Sequence, residues 1–282
     1  MKLRLLTSFT AASAVLLTLL GTASAVADTI SVFALPATGT DAASGISTAN
    51  TYLDAFDFGN YGSVGSTLTI NGVSFTHFNL GVANNTVNTV STTDPNFGGT
   101  LTISSSGPGP DTDRLGQANS ASQGSLSSQA DGSMYSMFPD MFYITGPADA
   151  NSVMTLDFGG LTAGDQYSLR IYTRSWGNTF PGRNINVSFN GEGTAQAYSG
   201  NPFVEDTVAG AGGAQYIEYD FTAASTDVTG SFENLVSNGS FQLFGASLQV
   251  IPEPTVASLL AVGGLLLGLL CWRRATRRTS NT

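Results

Sequence analysis

The stretch Gln166-Tyr-Ser-Leu-Arg-Ile-Tyr-Thr-Arg174 decides the fold class of this chain. In an extended backbone Tyr167, Leu169 and Ile171 face one way, and Arg170, Tyr172 and Arg174 face the other, because strand side chains alternate. The turn Ala163-Gly164-Asp165 precedes it. Working outward, the same period of two recurs at 53–58, 67–70, 73–78, 100–103, 153–158, 184–189, 215–221, 228–232 and 240–250. Turn pairs separate these runs: Asn71-Gly72, Gly159-Gly160, Asn190-Gly191 and Asn238-Gly239. Helical periodicity is nearly absent. Many short strands with turns between them predict an all-β protein, a β-sandwich of jelly-roll type over residues 28–250.

Three details refine that expectation. In 240–250 the apolar parity changes, with Phe241 and Leu243 odd and Phe244, Ala246, Leu248 and Val250 even. A bulge at Phe244-Gly245 would produce that switch. Residues 107–131 are rich in Ser, Gln and Gly with almost no apolar side chain, and read as a long surface loop. Met134, Met137, Phe138 and Met141 then fall at helical spacing, and Pro139 limits that helix to a turn or two, a plug on one end of the sandwich.

The charge is uneven. Of 10 basic residues six lie in the two ends, leaving Arg114, Arg170, Arg174 and Arg183 in the body and no lysine. Of 20 acids only Glu253 lies outside the body, so 19 negative charges stand against four positive ones, a net of −15. That balance argues against nucleic acid and anionic membrane surfaces as partners of the body and suits an extracellular setting. The single cysteine, Cys271, lies in the apolar C-terminal run, so the body has no disulfide and needs a self-sufficient core.

Catalytic chemistry finds little to work with. The single histidine, His77, follows Val73 and Phe75 on one strand face, the pattern of a half-buried strand residue. No G-x-S-x-G elbow accompanies it, and one histidine without an accessible cysteine does not make a zinc site. A pair of carboxylates remains the one conceivable hydrolytic arrangement. The expectation is therefore a non-enzyme without metal or cofactor.

The ends carry their own signals. Lys2 and Arg4 precede an apolar stretch, 5–20, and small residues offer cleavage after Ala27, so 1–27 reads as a cleaved secretory signal peptide. At the other end, 251–282 has three parts. Ile251-Pro252-Glu253-Pro254 comes first, then 17 uncharged residues, 256–272, and then Arg273, Arg274, Arg277 and Arg278. The apolar run is just long enough for a single transmembrane helix, and the arginines would hold its far end in the cytoplasm. Pro252, Glu253 and Pro254 in that order, followed by span and arginines, resemble the PEP-CTERM sorting signal. That resemblance implies a membrane transpeptidase of the exosortase type as partner. It further implies a transient membrane anchor, removal of the tail near Pro254, and delivery to the cell surface or extracellular matrix of an exopolysaccharide-making bacterium.

The second half of the body has a resemblance of its own. Leu156-Asp-Phe-Gly-Gly-Leu-Thr-Ala-Gly-Asp165 leads into Tyr167 to Arg174, then Ser175-Trp176-Gly177 and Gly182-Arg183. Tyr219-Asp-Phe-Thr-Ala223 follows, and the order closes with Phe241-x-Leu-Phe-Gly245. It is similar to the galactose-binding-like jelly rolls of surface proteins, many of which bind sugars. Trp176 would stack on a sugar face, and Arg174 and Arg183 would donate to hydroxyls or to a uronate carboxylate, which makes these three the candidate sugar-binding residues. The leading reading is a structural or adhesive surface protein sorted by its tail. The alternative is a module that binds acidic exopolysaccharide, and a third is a secreted polysaccharide hydrolase.

Overall fold

Alternation of apolar and polar side chains builds two sheets that share one core. The computed structural model describes residues 28–35, 41–59, 67–81, 87–107, 114–119, 136–138, 140–144, 150–174, 183–204, 214–236, 240–252 and 264. In chain order the strands are β1 (Thr29–Ala34), β2 (Thr51–Phe58), β3 (Thr67–Ile70), β4 (Val73–Phe78), β5 (Thr89–Thr93) and β6 (Thr100–Ser106). They continue with β7 (Leu115–Asn119), β8 (Asp140–Ile144), β9 (Val153–Gly159), β10 (Gln166–Arg174) and β11 (Asn184–Asn190). The last are β12 (Gln196–Ala197), β13 (Phe203–Val204), β14 (Ala214–Thr222), β15 (Asp227–Asn234) and β16 (Gly245–Val250).

The first sheet runs β1-β14-β10-β16-β2-β4-β3, and the second runs β12-β11-β15-β9-β6-β5 with β13 also on β11. Pairing is antiparallel except for β2 with β4. Tyr167, Leu169 and Ile171 of β10 meet Leu156 and Phe158 of β9, Val187 and Phe189 of β11 and Phe232 of β15 in one buried cluster between the sheets. Each such side chain removed from water contributes about 1.5–3 kcal/mol, which is how a body without disulfides holds together. The protein is all-β, a two-sheet sandwich, and the strand 166–174 has the bounds that its alternation predicts.

A second buried cluster lies on the opposite face of the first sheet. Tyr172, Phe75, Ala55 and Phe244 are covered there by Leu35, Ile46, Met137, Phe138 and Met141. Polar residues of that face are buried with them, because the segment 41–50 and the turn 136–138 lie over it.

Three expectations need correction. The run 107–131 is not loop throughout: Leu115–Asn119 is a strand, paired antiparallel with β8, and Leu115 is 0% exposed. Its apolar partner strand, Asp140–Ile144, supplies what its own composition lacks, and the ribbon joins the first sheet at a Phe142–Leu243 bridge. Met137, Phe138 and Met141 do not form one helical stripe: 136–138 is a single tight turn, and Met141 already belongs to β8. They cover the outer face of the first sheet; Met134 lies outside the described residues. The parity change at Phe244-Gly245 marks the start of β16. The register irregularity lies at Leu248/Gln249, opposite Leu53, where β2 carries the extra residue.

Candidate functional site

The cationic residues expected to meet a sugar lie deep. Arg174, at the end of β10, is 4% exposed with its guanidinium 5.3 Å from the centroid of Phe244, and burial lowers its pKa to about 10. Arg183 is 8% exposed, and its Nη1 donates to the Ser240 carbonyl at 3.4 Å. Arg170, on the same strand face, sits opposite Glu218 of β14 and donates to its carboxylate. Trp176 lies outside the described residues, as do Glu253, Pro254, the run 256–272 apart from Gly264, and Arg273, Arg274, Arg277 and Arg278. Pro252 follows the last paired residue: the Ile251 N–H donates to the Gln166 carbonyl at 2.8 Å, and a proline has no N–H to extend the ladder. Among the described residues no helix is long and apolar enough to cross a membrane.

His77 does share a face with Val73 and Phe75, as alternation predicts, and that face is the covered one. Its Nδ1 lies 2.6 Å from Oδ2 of Asp57, its neighbour across the parallel pair. Burial raises Asp57 to about 6 against the pull of His77, and burial likewise raises Asp140. Among the described residues no three His, Cys, Asp or Glu side chains are grouped to hold a metal ion.

A different place has the geometry of a ligand site. An open groove of about 310 Å³ is formed where the segment 47–50, the β3–β4 turn and the turn between β5 and β6 meet the start of β2. Tyr52 and Phe97 pack against each other in its lining, with ring centroids 5.8 Å apart and planes inclined by 45°. Tyr52 is buried, whereas Phe97, at a turn tip, is half-buried. Asn50, Asn96, Thr48 and Ser74 supply amides and hydroxyls around them, and Gly72 and Val73 complete the lining.

Local sequence explains why this groove is firm. Asn71-Gly72 closes the β3–β4 hairpin with positive φ at both residues, 48° and 82°, which Asn and Gly tolerate best. A Cβ on Gly72 would come within 2.9 Å of the Thr48 methyl. The Asn71 Nδ2 donates to the carbonyls of Asp41 at 2.8 Å and Ile46 at 2.9 Å, which ties the 41–50 segment to the hairpin. Tyr52 Oη accepts from the Ser47 N–H at 3.1 Å.

Asp94 organises the opposite wall. Its Oδ1 accepts from the Asn96 N–H at 2.8 Å and the Thr76 hydroxyl at 3.0 Å, and its Oδ2 from the Ala55 N–H at 2.9 Å. Backbone bonds from Gly98 N to Asp94 O, 2.8 Å, and from Asp94 N to Gly99 O, 2.9 Å, close the turn. The Asn96 Nδ2 donates to Thr76 Oγ1 at 2.9 Å. Phe97 is therefore held on a turn bonded to both β2 and β4. The sequence reading passed over this site. Its trace was Asp94-Pro-Asn-Phe-Gly-Gly99, a strong turn with an aromatic residue at its tip.

No known family matches the chain, and no curated protein does. Among solved structures the chain is similar to the extracellular domain of ANXUR1 from Arabidopsis thaliana at 12% identity, covering 72% of this chain and 51% of that one, with a TM-score of 0.36. It is similar to the CBM22-1–GH10 modules of Clostridium thermocellum xylanase 10B, complexed with xylohexaose, at 12% identity over 54% of this chain and 27% of that one, TM-score 0.34. TmCBM61, in complex with beta-1,4-galactotriose, matches at 11% identity over 54% of this chain and 88% of that one, TM-score 0.29. At such identities and TM-scores these likenesses assign neither family nor ligand.

Proposed function

We propose that this chain is an exported surface protein whose jelly-roll-type body is a non-catalytic glycan-binding module. The observation that carries the proposal is the groove lined by the packed pair Tyr52 and Phe97 together with Asn50 and Asn96. A sugar ring is amphipathic. Its C–H face needs an apolar partner and its hydroxyls need both donors and acceptors, and a concave site with aromatic walls and a few placed polar groups supplies both. Delivery to the surface rests on the ends of the sequence. In this reading residues 1–27 direct export, 256–272 anchor the chain transiently, and an exosortase-type transpeptidase acts at Pro252-Glu253-Pro254.

The Trp176 stretch is a second candidate site. The burial of Arg174 and Arg183 favours a packing role for those two. Affinity electrophoresis tests the module. The full chain, solubilised in mild detergent, is run through gels containing single polysaccharides, neutral or acidic. Retardation by at least one of them without release of reducing ends is the expected result. Free migration in all of them overturns the glycan-binding reading, and release of reducing ends makes the protein a hydrolase.

A further inference from the structure

We infer that the Tyr52–Phe97 groove takes a neutral glycan and rejects uronate-containing chains; this rests on the glycan-binding reading above. The observation is one of charge. Among the residues that line the groove there is no Lys, Arg or His. The four arginines of the body are placed elsewhere: Arg170 on Glu218, Arg174 against Phe244, Arg183 at the Ser240 carbonyl, and Arg114 immediately before β7. A uronate brought into the groove would lose water from its carboxylate and meet no cation in exchange. An uncompensated charge in a partly desolvated site is unfavourable by far more than a lost neutral hydrogen bond.

The surroundings reinforce this. The buried carboxylate of Asp94 lies directly behind Asn96. The body as a whole carries −15. Both act against an anionic chain, the first at short range and the second within the screening length of about 8–10 Å. A neutral sugar meets none of these penalties. The Asn50 Nδ2 already donates to Gln249 Oε1 at 2.7 Å, which leaves its Oδ1 as an acceptor, while the Asn96 amide and the hydroxyls of Thr48 and Ser74 both donate and accept, as sugar hydroxyls do. Phe97 has no polar atom of its own and offers only a ring face, the complement of an axial C–H surface. Because its turn is closed by Asp94, little order has to be gained when a ligand settles, which favours binding by preorganisation.

Calorimetric titration of the full chain in detergent tests the inference, with cellohexaose, mannohexaose and β-1,4-galactohexaose against hexagalacturonate and hexaguluronate, at low and high salt. The expected result is binding of at least one neutral hexamer, with little salt dependence, and no heat from either uronate. Phe97→Ala should weaken the neutral ligand about tenfold or more, which is about 1.4 kcal/mol. Thr48→Arg, on the exposed rim, serves if Phe97→Ala fails to fold. It places a guanidinium where none stands, and should weaken the neutral hexamer and create salt-sensitive binding of a uronate. Tighter binding of a uronate by the unaltered chain overturns the neutral-ligand inference while leaving glycan binding intact. Neutral binding untouched by both Phe97→Ala and Thr48→Arg overturns the groove as its site. Absence of binding to every hexamer overturns both this inference and the reading on which it rests.

Discussion

Asp54 is fully buried, and among the described residues neither of its carboxylate oxygens has a hydrogen-bond partner. It lies against the turn that carries Phe97: a Cβ on Gly99 would come within 2.4 Å of Asp54 Oδ1, so only glycine fits there. Burial first, and the neighbouring Asp94 carboxylate second, raise its pKa from 3.8 to about 8. The sign follows from proton linkage. Between pH 4 and 8 the folded state holds a proton at Asp54 that the unfolded chain has released, so the stability that Asp54 contributes is fully present below about pH 4 and is lost as pH rises through that window. The slope is at most about 1.4 kcal/mol per pH unit. Asp54→Asn removes this dependence and keeps the shape. Its melting temperature is expected to exceed that of the parent by more at pH 8 than at pH 5, by thermal denaturation of the full chain. Equal differences at the two pH values would show that Asp54 is ionised in the folded protein.

At the scale of elements, what was legible depended on whether a strand carries its own pattern. β10, β4 and β3 have the bounds that alternation and the Asn71-Gly72 turn predict, because strand face and hairpin turn are local properties. β7 has no pattern of its own. Leu115-Gly-Gln-Ala-Asn119 is a strand because Met141, Phe142 and Ile144 of β8 bring apolar surface to it, and that pairing spans a sequence gap in which composition alone reads as loop. Leu115→Ala is therefore expected to destabilise the fold by about 2–4 kcal/mol, the range for truncating a buried leucine. A surface-loop leucine would change stability by less than about 0.5 kcal/mol, so chemical denaturation separates the two. The groove follows the same logic. Asn50, Ser74 and Phe97 belong to three elements whose proximity no single window of sequence contains.

At the scale of the whole molecule, the proposed processing points fall just outside the paired strands. Asp28 accepts from the Tyr219 hydroxyl at 2.7 Å, and β1 starts at Thr29 against β14, so cleavage after Ala27 would leave that edge strand intact. At the far end the ladder closes with the Ile251 N–H, and Pro252 and Pro254, which follow in the sequence, have no N–H to extend it. Mass spectrometry of the surface-located protein is expected to show a chain from about Asp28 to about Pro254. Recovery of the intact 256–278 segment in most of that material would contradict the sorting proposal.

The sequence by itself determined what is local or additive: the β class, the faces of β10, the hairpin at Asn71-Gly72, a body of −15 without a disulfide, and the order of chemical groups at both ends. Only the tertiary structure decided whether the second face of β10 meets water. Period-2 alternation says which residues share a side, and nothing about what packs there. Arg170, Tyr172 and Arg174 share one strand face by alternation, and Arg174 is expected from the sequence to meet a sugar there. They lie instead beneath 41–50 and the Met137–Phe138 turn, since a second apolar layer recruited from distant segments covers that side. By the same reason the aromatic pair of the groove is buried Tyr52 with half-buried Phe97, brought together by three turns that the hydrogen bonds of Asp94 and Asn71 hold in place.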